Sequence, residues 1–301
     1  MVFFVFTAYL AVAGSGQILM KSVADELPRA KALAVQFLCA AILGWAIALF
    51  MRDIRLEREL LIIVGVGFIN AFGAFAQWEA IGISLSKTAI LYPLSGVLTA
   101  ALAALFLKEA ELYANSWLVG GVLLLFVAAF LLNLGKKNKK SKEASDEIPA
   151  KKRVIKWAIA IAAMVAIFGI VQFMMKAFAV DGIGKVAFIS HWYSGAFLGS
   201  LGILAIAALR KQKDQRKFFG EHTWKLPLLA TFIFLNLGAT YWAFQVAPAG
   251  VVAPLFNFAQ AVLPIGIGLL IFHERKGLKI SHTLGFLLGL MGILAIAIGF
   301  Y

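Results

Sequence analysis

Apolar runs of about twenty residues, parted by short polar connections, make up most of this chain of 301 residues. A run of that length and character spans the hydrocarbon core of a bilayer as a helix. Ten are read, at about 2–23, 31–51, 60–81, 87–107 and 114–134, then at 155–179, 185–209, 226–246, 250–272 and 280–300. Between the fifth and the sixth lies one long polar stretch, Gly135 to Lys156, with nine Lys/Arg and three acids. The pattern predicts an all-α integral membrane protein with ten transmembrane helices. A first five-helix unit (1–134), a basic linker (135–156) and a second five-helix unit (157–301) follow one another. The first run ends its opening half at Ala11-Val12-Ala13, a cleavage-like triplet, but no basic residues precede it. A secretory signal needs such a basic start, so the run is expected to be a retained helix.

The two units echo each other. Gln17-Ile18-Leu19-Met20-Lys21 returns as Gln172-Phe173-Met174-Met175-Lys176, and at the same offset Gln36 meets His191. At a slightly larger offset Lys108-Glu109 meets His273-Glu274 and Gly120 meets Gly285. A longer basic connection between the seventh and eighth runs, from Arg210 to Lys225, accounts for the change of register. A duplicated unit with an odd number of spans enters the membrane from opposite sides in its two copies. The repeats are then inverted about an axis in the membrane plane, a construction of secondary transporters that places the site at the repeat interface.

Composition sharpens this reading. The chain is 62% hydrophobic and 14% charged, with a formal net charge of +13. A soluble domain carries about a quarter charged residues. The basic residues lie in connections rather than on one folded face, so nucleic-acid binding is not expected; the partners are membrane lipid and a small-molecule substrate. Connections on the linker side hold 21 Lys/Arg, those on the other side five. The positive-inside rule then puts the linker in the cytoplasm and both termini outside, in a multi-pass protein of a plasma or inner membrane. Cys39 is the sole cysteine; no disulfide forms within one chain, and a packed thiol is expected. No phosphate-cradling glycine loop, metal cluster or nucleophile–base pair is present, so neither an enzyme nor a cofactor is expected.

Candidate chemistry comes from polar residues inside apolar runs, which are costly and tend to face a cavity. The paired Gln-x-x-x-Lys leads. Lys21 and Lys176 are expected either to attract an anionic group, with Gln17 and Gln172 bonding the rest of the cargo, or to snorkel to the headgroups. Gln36 and His191 form a second pair, and His191 is a candidate for a coupling proton. Asn70, Trp78, Asn236 and Trp242 are further cavity candidates, with Glu79 the one carboxylate near them and a second candidate for proton coupling. Tyr92, Asn257 and Gln260 sit beside the prolines Pro93, Pro254 and Pro264, where freed backbone carbonyls are tolerated if they line a cavity. Glu109 and Glu274 read as turn residues that serve a helix N-terminus.

Two long segments resemble a known family. Ala89-Ile90-Leu91-Tyr92-Pro93-Leu94-Ser95-Gly96-Val97-Leu98-Thr99-Ala100, then Leu107-Lys108-Glu109 and Leu118-Val119-Gly120-Gly121-Val122, resembles the EamA domain of the drug/metabolite transporter superfamily. Ala249-Gly250-Val251-Val252-Ala253, Phe272-His273-Glu274 and Leu284-Gly285-Phe286-Leu287 look like a second copy. The resemblance implies an inner-membrane carrier of small metabolites, often an exporter of amino acids, with the fifth and tenth spans peripheral. It also implies cytoplasmic termini, opposite to the charge count, which is preferred here. Relatives commonly carry proline where Gly96 and Ala261 stand. The expectation is therefore a secondary transporter, monomer or homodimer, exporting a small anionic or zwitterionic, amino-acid-like metabolite by alternating access. The alternatives are a broad efflux pump for drug-like or cationic compounds and a non-transporting membrane scaffold or receptor.

Overall fold

A computed structural model of the chain describes residues 2–83, 85–109, 115–134, 150–210, 218, 220, 222–270 and 280–300. Stretch 135–149, the motif Phe272-His273-Glu274, and the side chains of Ala261 and Pro264 lie outside what it describes. Among the described residues the regular structure is entirely helical: α1 (Val2–Glu26), α2 (Arg29–Phe50), α3 (Leu61–Ile83), α4 (Leu85–Leu91), α5 (Pro93–Phe106), α6 (Ser116–Leu134), α7 (Ala150–Val180), α8 (Lys185–Leu209), α9 (Lys225–Val246), α10 (Ala249–Leu270) and α11 (Ile280–Phe300). A short 3-10 turn, Arg58–Leu60, leads into α3. Five helical segments are long and apolar enough to cross a membrane: Arg29–Phe50, Arg58–Ile83, Ile155–Val180, Lys185–Leu209 and Lys225–Val246. Outward faces rich in bare Leu, Ile and Phe, such as Leu49, Phe50, Leu105 and Leu209, suit a lipid solvent.

Two elements differ from the hydropathy pattern. The run 87–107 is two helices, parted at Tyr92. Proline has no N–H to donate and its ring crowds the preceding turn, and here Pro93 opens α5. The Tyr92 carbonyl accepts instead from the Ser95 backbone N–H (3.1 Å) and the Ser95 hydroxyl (2.8 Å). At the other difference, α7 starts at Ala150, so the last seven residues expected in the linker are helical. Lysine and arginine are good helix formers, and nothing in Lys151-Lys152-Arg153 stops a turn begun by the apolar run after it.

Helix ends follow local rules. At the end of α7, Ile183 N–H bonds the Phe178 carbonyl (3.2 Å) and Gly182 N–H the Ala179 carbonyl (3.3 Å), a Schellman closure that needs φ > 0 at its C′ residue. Gly182 supplies it with φ 74°.

The two halves interleave rather than stand side by side. α3 packs on α7 and α8, α2 on α8 and α9, α1 on α9 and α10, and α5 on α7 and α10. α6 and α11 pair with each other at the edge and touch few other elements. Glycines set the closest crossing. A Cβ on Gly195 of α8 would stand 2.9 Å from the Val64 Cα of α3, and one on Gly67 would run into the Trp192 carbonyl. Small residues let membrane helices approach backbone to backbone.

Ion pairs between the halves collect at both ends of the bundle. At one end Lys225, which opens α9, bonds Glu26 (2.8 Å) and Ser22 (2.7 Å) at the close of α1. Glu79 near the close of α3 is held by Arg29 of α2 (3.0 Å) and by Lys156 of α7 (2.7 Å). At the opposite end of α7, about 30 Å away at 1.5 Å per residue, Lys176 meets Glu109 (3.4 Å). α1 therefore ends at the end of the bundle where α7 begins.

Candidate functional site

Within the bundle lies a cavity of about 140 Å³. α1 contributes Tyr9, Gln17 and Met20; α2 Gln36 and Phe37; α3 Asn70, Gln77 and Trp78; and Tyr92 stands at the break between α4 and α5. The second half adds Phe168 and Gln172 from α7, Trp192 and Tyr193 from α8, Asn236, Thr240 and Phe244 from α9, and Phe256, Asn257 and Gln260 from α10. The break at Pro93 brings Tyr92 to this wall, and α1 crosses it with Gln17 because both α9 and α10 pack along α1.

Side-chain amides dominate the polar lining, and they bond across helices. Gln17 Nε2 donates to Gln260 Oε1 (3.3 Å), and Gln260 Nε2 donates to the Tyr9 hydroxyl. These contacts tie α1 to α10. Gln172 and Asn257 exchange hydrogen bonds (Nε2 to Oδ1 3.4 Å, Nδ2 to Oε1 3.3 Å), and Asn257 Nδ2 also reaches Ser95 Oγ (3.2 Å). Thr99 Oγ1 lies 3.3 Å from Gln172 Oε1. Gly96 makes room for this network, since a Cβ there would sit 2.6 Å from Asn257 Nδ2. Three lining atoms remain buried without a protein partner: Gln36 Oε1, Trp78 Nε1 and Asn236 Oδ1. Buried polar atoms are nearly always paired, with protein or with ordered water. The aromatic walls are ordered, with Tyr9 stacked on Phe256 at 4.0 Å.

The cavity thus gathers Gln17, Gln36, Asn70, Trp78, Tyr92, Gln172, Asn236, Asn257 and Gln260 among the expected residues. Lys21, Lys176, His191, Trp242 and Glu79 are not in its lining. The lysines do something else, and they do it twice. Lys176 Nζ donates to the carbonyls of Phe244 and Ala247 (both 2.9 Å) at the close of α9 and pairs with Glu109. Lys21 Nζ reaches the Ile81 carbonyl (3.4 Å) near the close of α3 and pairs with Asp25 (2.8 Å). The last carbonyls of a helix have no partner within it, and a cation there also suits the dipole. Each lysine thus lies at the close of the third long helix of its half and bonds carbonyls there. Glu109 completes the corner: its Oε2 accepts from Ala249 N–H (2.9 Å) at the start of α10. It serves a helix N-terminus as expected, though one from the other half.

His191 Nδ1 donates to the Ala187 carbonyl (2.8 Å), and its ring packs 5.3 Å from Trp45. Trp242 lies 5.7 Å beneath the Lys185 ammonium, and Glu79 is held by its two cations. Residues the sequence reading missed are Tyr9, Phe37, Thr240 and Trp192. Tyr9 and Thr240 carried a signal, as hydroxyls inside apolar runs. Among the described residues no three His, Cys, Asp or Glu side chains gather as a metal site.

No family model matches the chain, and no curated protein matches it in sequence. Solved structures do match. One of them, described only as the crystal structure of a protein, aligns with a TM-score of 0.68 over 97% of this chain and 97% of its own, at 14% identity. That is a likeness of fold.

Proposed function

We propose that this chain is a secondary transporter that carries a small polar metabolite by alternating access, built from two inverted five-helix repeats in a ten-helix multi-pass membrane protein. The observation that carries the reading is the cavity: a polar chamber inside an apolar bundle, walled by residues of both halves, with buried polar atoms left unpaired. Such a chamber has no purpose in a scaffold, whose surface of action lies outside the lipid. The opposed directions of α1 and α7, whose Gln-x-x-x-Lys motifs correspond, fit inverted repeats.

In this reading the halves rock about the cavity. Opening one end separates Glu26 from Lys225 and Glu79 from Lys156; opening the other separates Lys176 from Glu109. The linker side of the bundle is the basic, cytoplasmic one by the charge count. An anionic cargo was expected from the lysines, and that reason falls away once both are helix caps. A pump for cationic compounds would need an acid in the cavity, and the lining residues include none. The experiment is exchange in proteoliposomes loaded with an extract of polar metabolites, followed by mass spectrometry. Protein-dependent release of at least one metabolite, weakened by Gln172→Ala or Asn257→Ala, is expected. Vesicles that release nothing faster than protein-free ones overturn the proposal.

A further inference from the structure

Where α7, α9 and α10 meet, a carboxylate sits in a prepared grip. Lys176 is 6% exposed, and an ammonium has three N–H donors. Two go to the Phe244 and Ala247 carbonyls, both at 2.9 Å, and fix the nitrogen against α9. The ammonium also meets Glu109 Oε1 at 3.4 Å, while Glu109 Oε2 accepts from Ala249 N–H at 2.9 Å. That N–H opens α10, whose first ladder bonds run from Val251 and Val252 to the Pro248 carbonyl; earlier N–H groups of a helix have no partner within it. One carboxylate thus has a donor for each oxygen, one of them charged, and charge-assisted bonds are the strong kind.

The parts of this grip do not come from one half. Lys176, Ala249 and the two carbonyls belong to the second half, whereas Glu109 follows α5 of the first. Parting the halves at this end withdraws the carboxylate and leaves its donors assembled. The ammonium stays tied to α9 and has lost its counter-charge, the costly remainder of a broken pair. Phe244 and Met175 line the cavity, but Lys176, Glu109 and Ala249 do not, so the grip stands at the cavity's end and outside the cargo chamber.

The geometry points to a second site, resting on the rocking of the halves only for the step that empties it. Lys176 and the Ala249 N–H bind a small monocarboxylate from solution, and Glu109 is the internal stand-in that fills the site while this end is closed. The place Glu109 leaves is that of a single carboxylate, between one ammonium and one N–H. A solute bound there keeps Glu109 out and holds this end open, so it regulates the carrier and is not its cargo.

Acetate is the probe, because Glu109→Ala removes an acetate-sized fragment from the side chain. In the purified full-length protein in detergent, Glu109→Ala lowers the melting temperature. Sodium acetate then raises it saturably, by about 2 °C or more beyond sodium chloride at equal ionic strength, and adding Lys176→Met removes that difference. Acetate that restores no more than chloride, or that restores as much without the Lys176 ammonium, overturns the site. A second measurement stands even if Glu109→Ala does not fold. Lys108 and Lys185 are exposed at this end, one in each half, and spin labels on Lys108→Cys and Lys185→Cys in a Cys39→Ser background report its opening. Acetate at its dissociation constant doubles the weight of a state that alone binds it, so the longer-distance population should rise about twofold. A longer-distance population that acetate leaves unchanged overturns the inference. One distance under all conditions, with acetate rescue of Glu109→Ala intact, overturns the rocking reading and leaves the site standing.

Discussion

Removing the Lys176 ammonium strips two carbonyls at the close of α9 of their donor and leaves Glu109 beside them. The groups are buried, so the loss is not made good by water. Lys176→Met is expected to cost about 3–5 kcal/mol, in line with breaking one side of a buried pair, and to lower the melting temperature in detergent. Ligand affinity of the folded fraction should change little, because the side chain is outside the cavity; a variant that melts normally but binds no ligand would contradict the cap role. A second residue-scale prediction concerns acid. Desolvation pushes the Glu26 carboxyl up, but hydrogen bonds from Lys225 and Ser22 and the nearby charges outweigh it, so the group lies below its ordinary value of 4.5. A depressed carboxyl stabilises the fold above the unfolded value and loses that contribution as pH falls through the folded one. The contact between α1 and α9 should therefore persist at pH 5 and weaken progressively below about 4.5, and Glu26→Gln should flatten that part of a melting-temperature profile. These residues also show where sequence reading stops. The amides were legible as cavity groups because a polar side chain in an apolar run has few other uses. The carbonyl contacts of the lysines were not legible, since they depend on which foreign helix ends beside them. The contacts of His191 were hidden for the same reason: the carbonyl and indole beside it are fixed by packing.

Elements were legible wherever local chemistry decides. Twenty-residue apolar runs became helices, and Tyr92-Pro93 became a break, because proline acts on its own turn. The extension of α7 back to Ala150 was missed because charge was read as solvation, while charge in itself does not end a helix. What no run of hydropathy reveals is which helices touch. The α3–α8 crossing depends on Gly67, Gly195 and Gly199, each set against backbone of the other helix, and glycine alone in a sequence says only that something is small. Gly195→Leu should force the helices apart. Overpacking of this kind costs about 1–3 kcal/mol or more, and it would shift the adjoining Trp192 at the cavity wall. The expected readings are a lowered melting temperature and weakened ligand binding together, whereas Gly120→Leu, with nothing within 4 Å of its added Cβ, should leave both unchanged.

For the whole molecule, the decisive pattern is that ion pairs between halves stand at both ends of one bundle. A rigid scaffold gains from all of them at once. A rocking carrier breaks one set while keeping the other. Replacing residues 137–147 by a glycine-serine segment of equal length removes most of the long polar run in the sequence without touching the described residues. A carrier should keep its exchange rate within about twofold, on the ground that surface changes away from packed sites are near neutral; abolished function with a normal melt would favour a scaffold that acts through that stretch.

Interleaving also bears on how the protein is made. Gln17, Ser95 and Thr99 find side-chain partners on α7 and α10, which leave the ribosome after the whole first half. Until then the Ser95 and Thr99 hydroxyls have only carbonyls of their own helix turn, and the Gln17 amide lacks its partner on α10. Nascent chains of this protein therefore pass through a vulnerable interval, and a stop between the halves would yield a fragment marked for proteolysis rather than a working half.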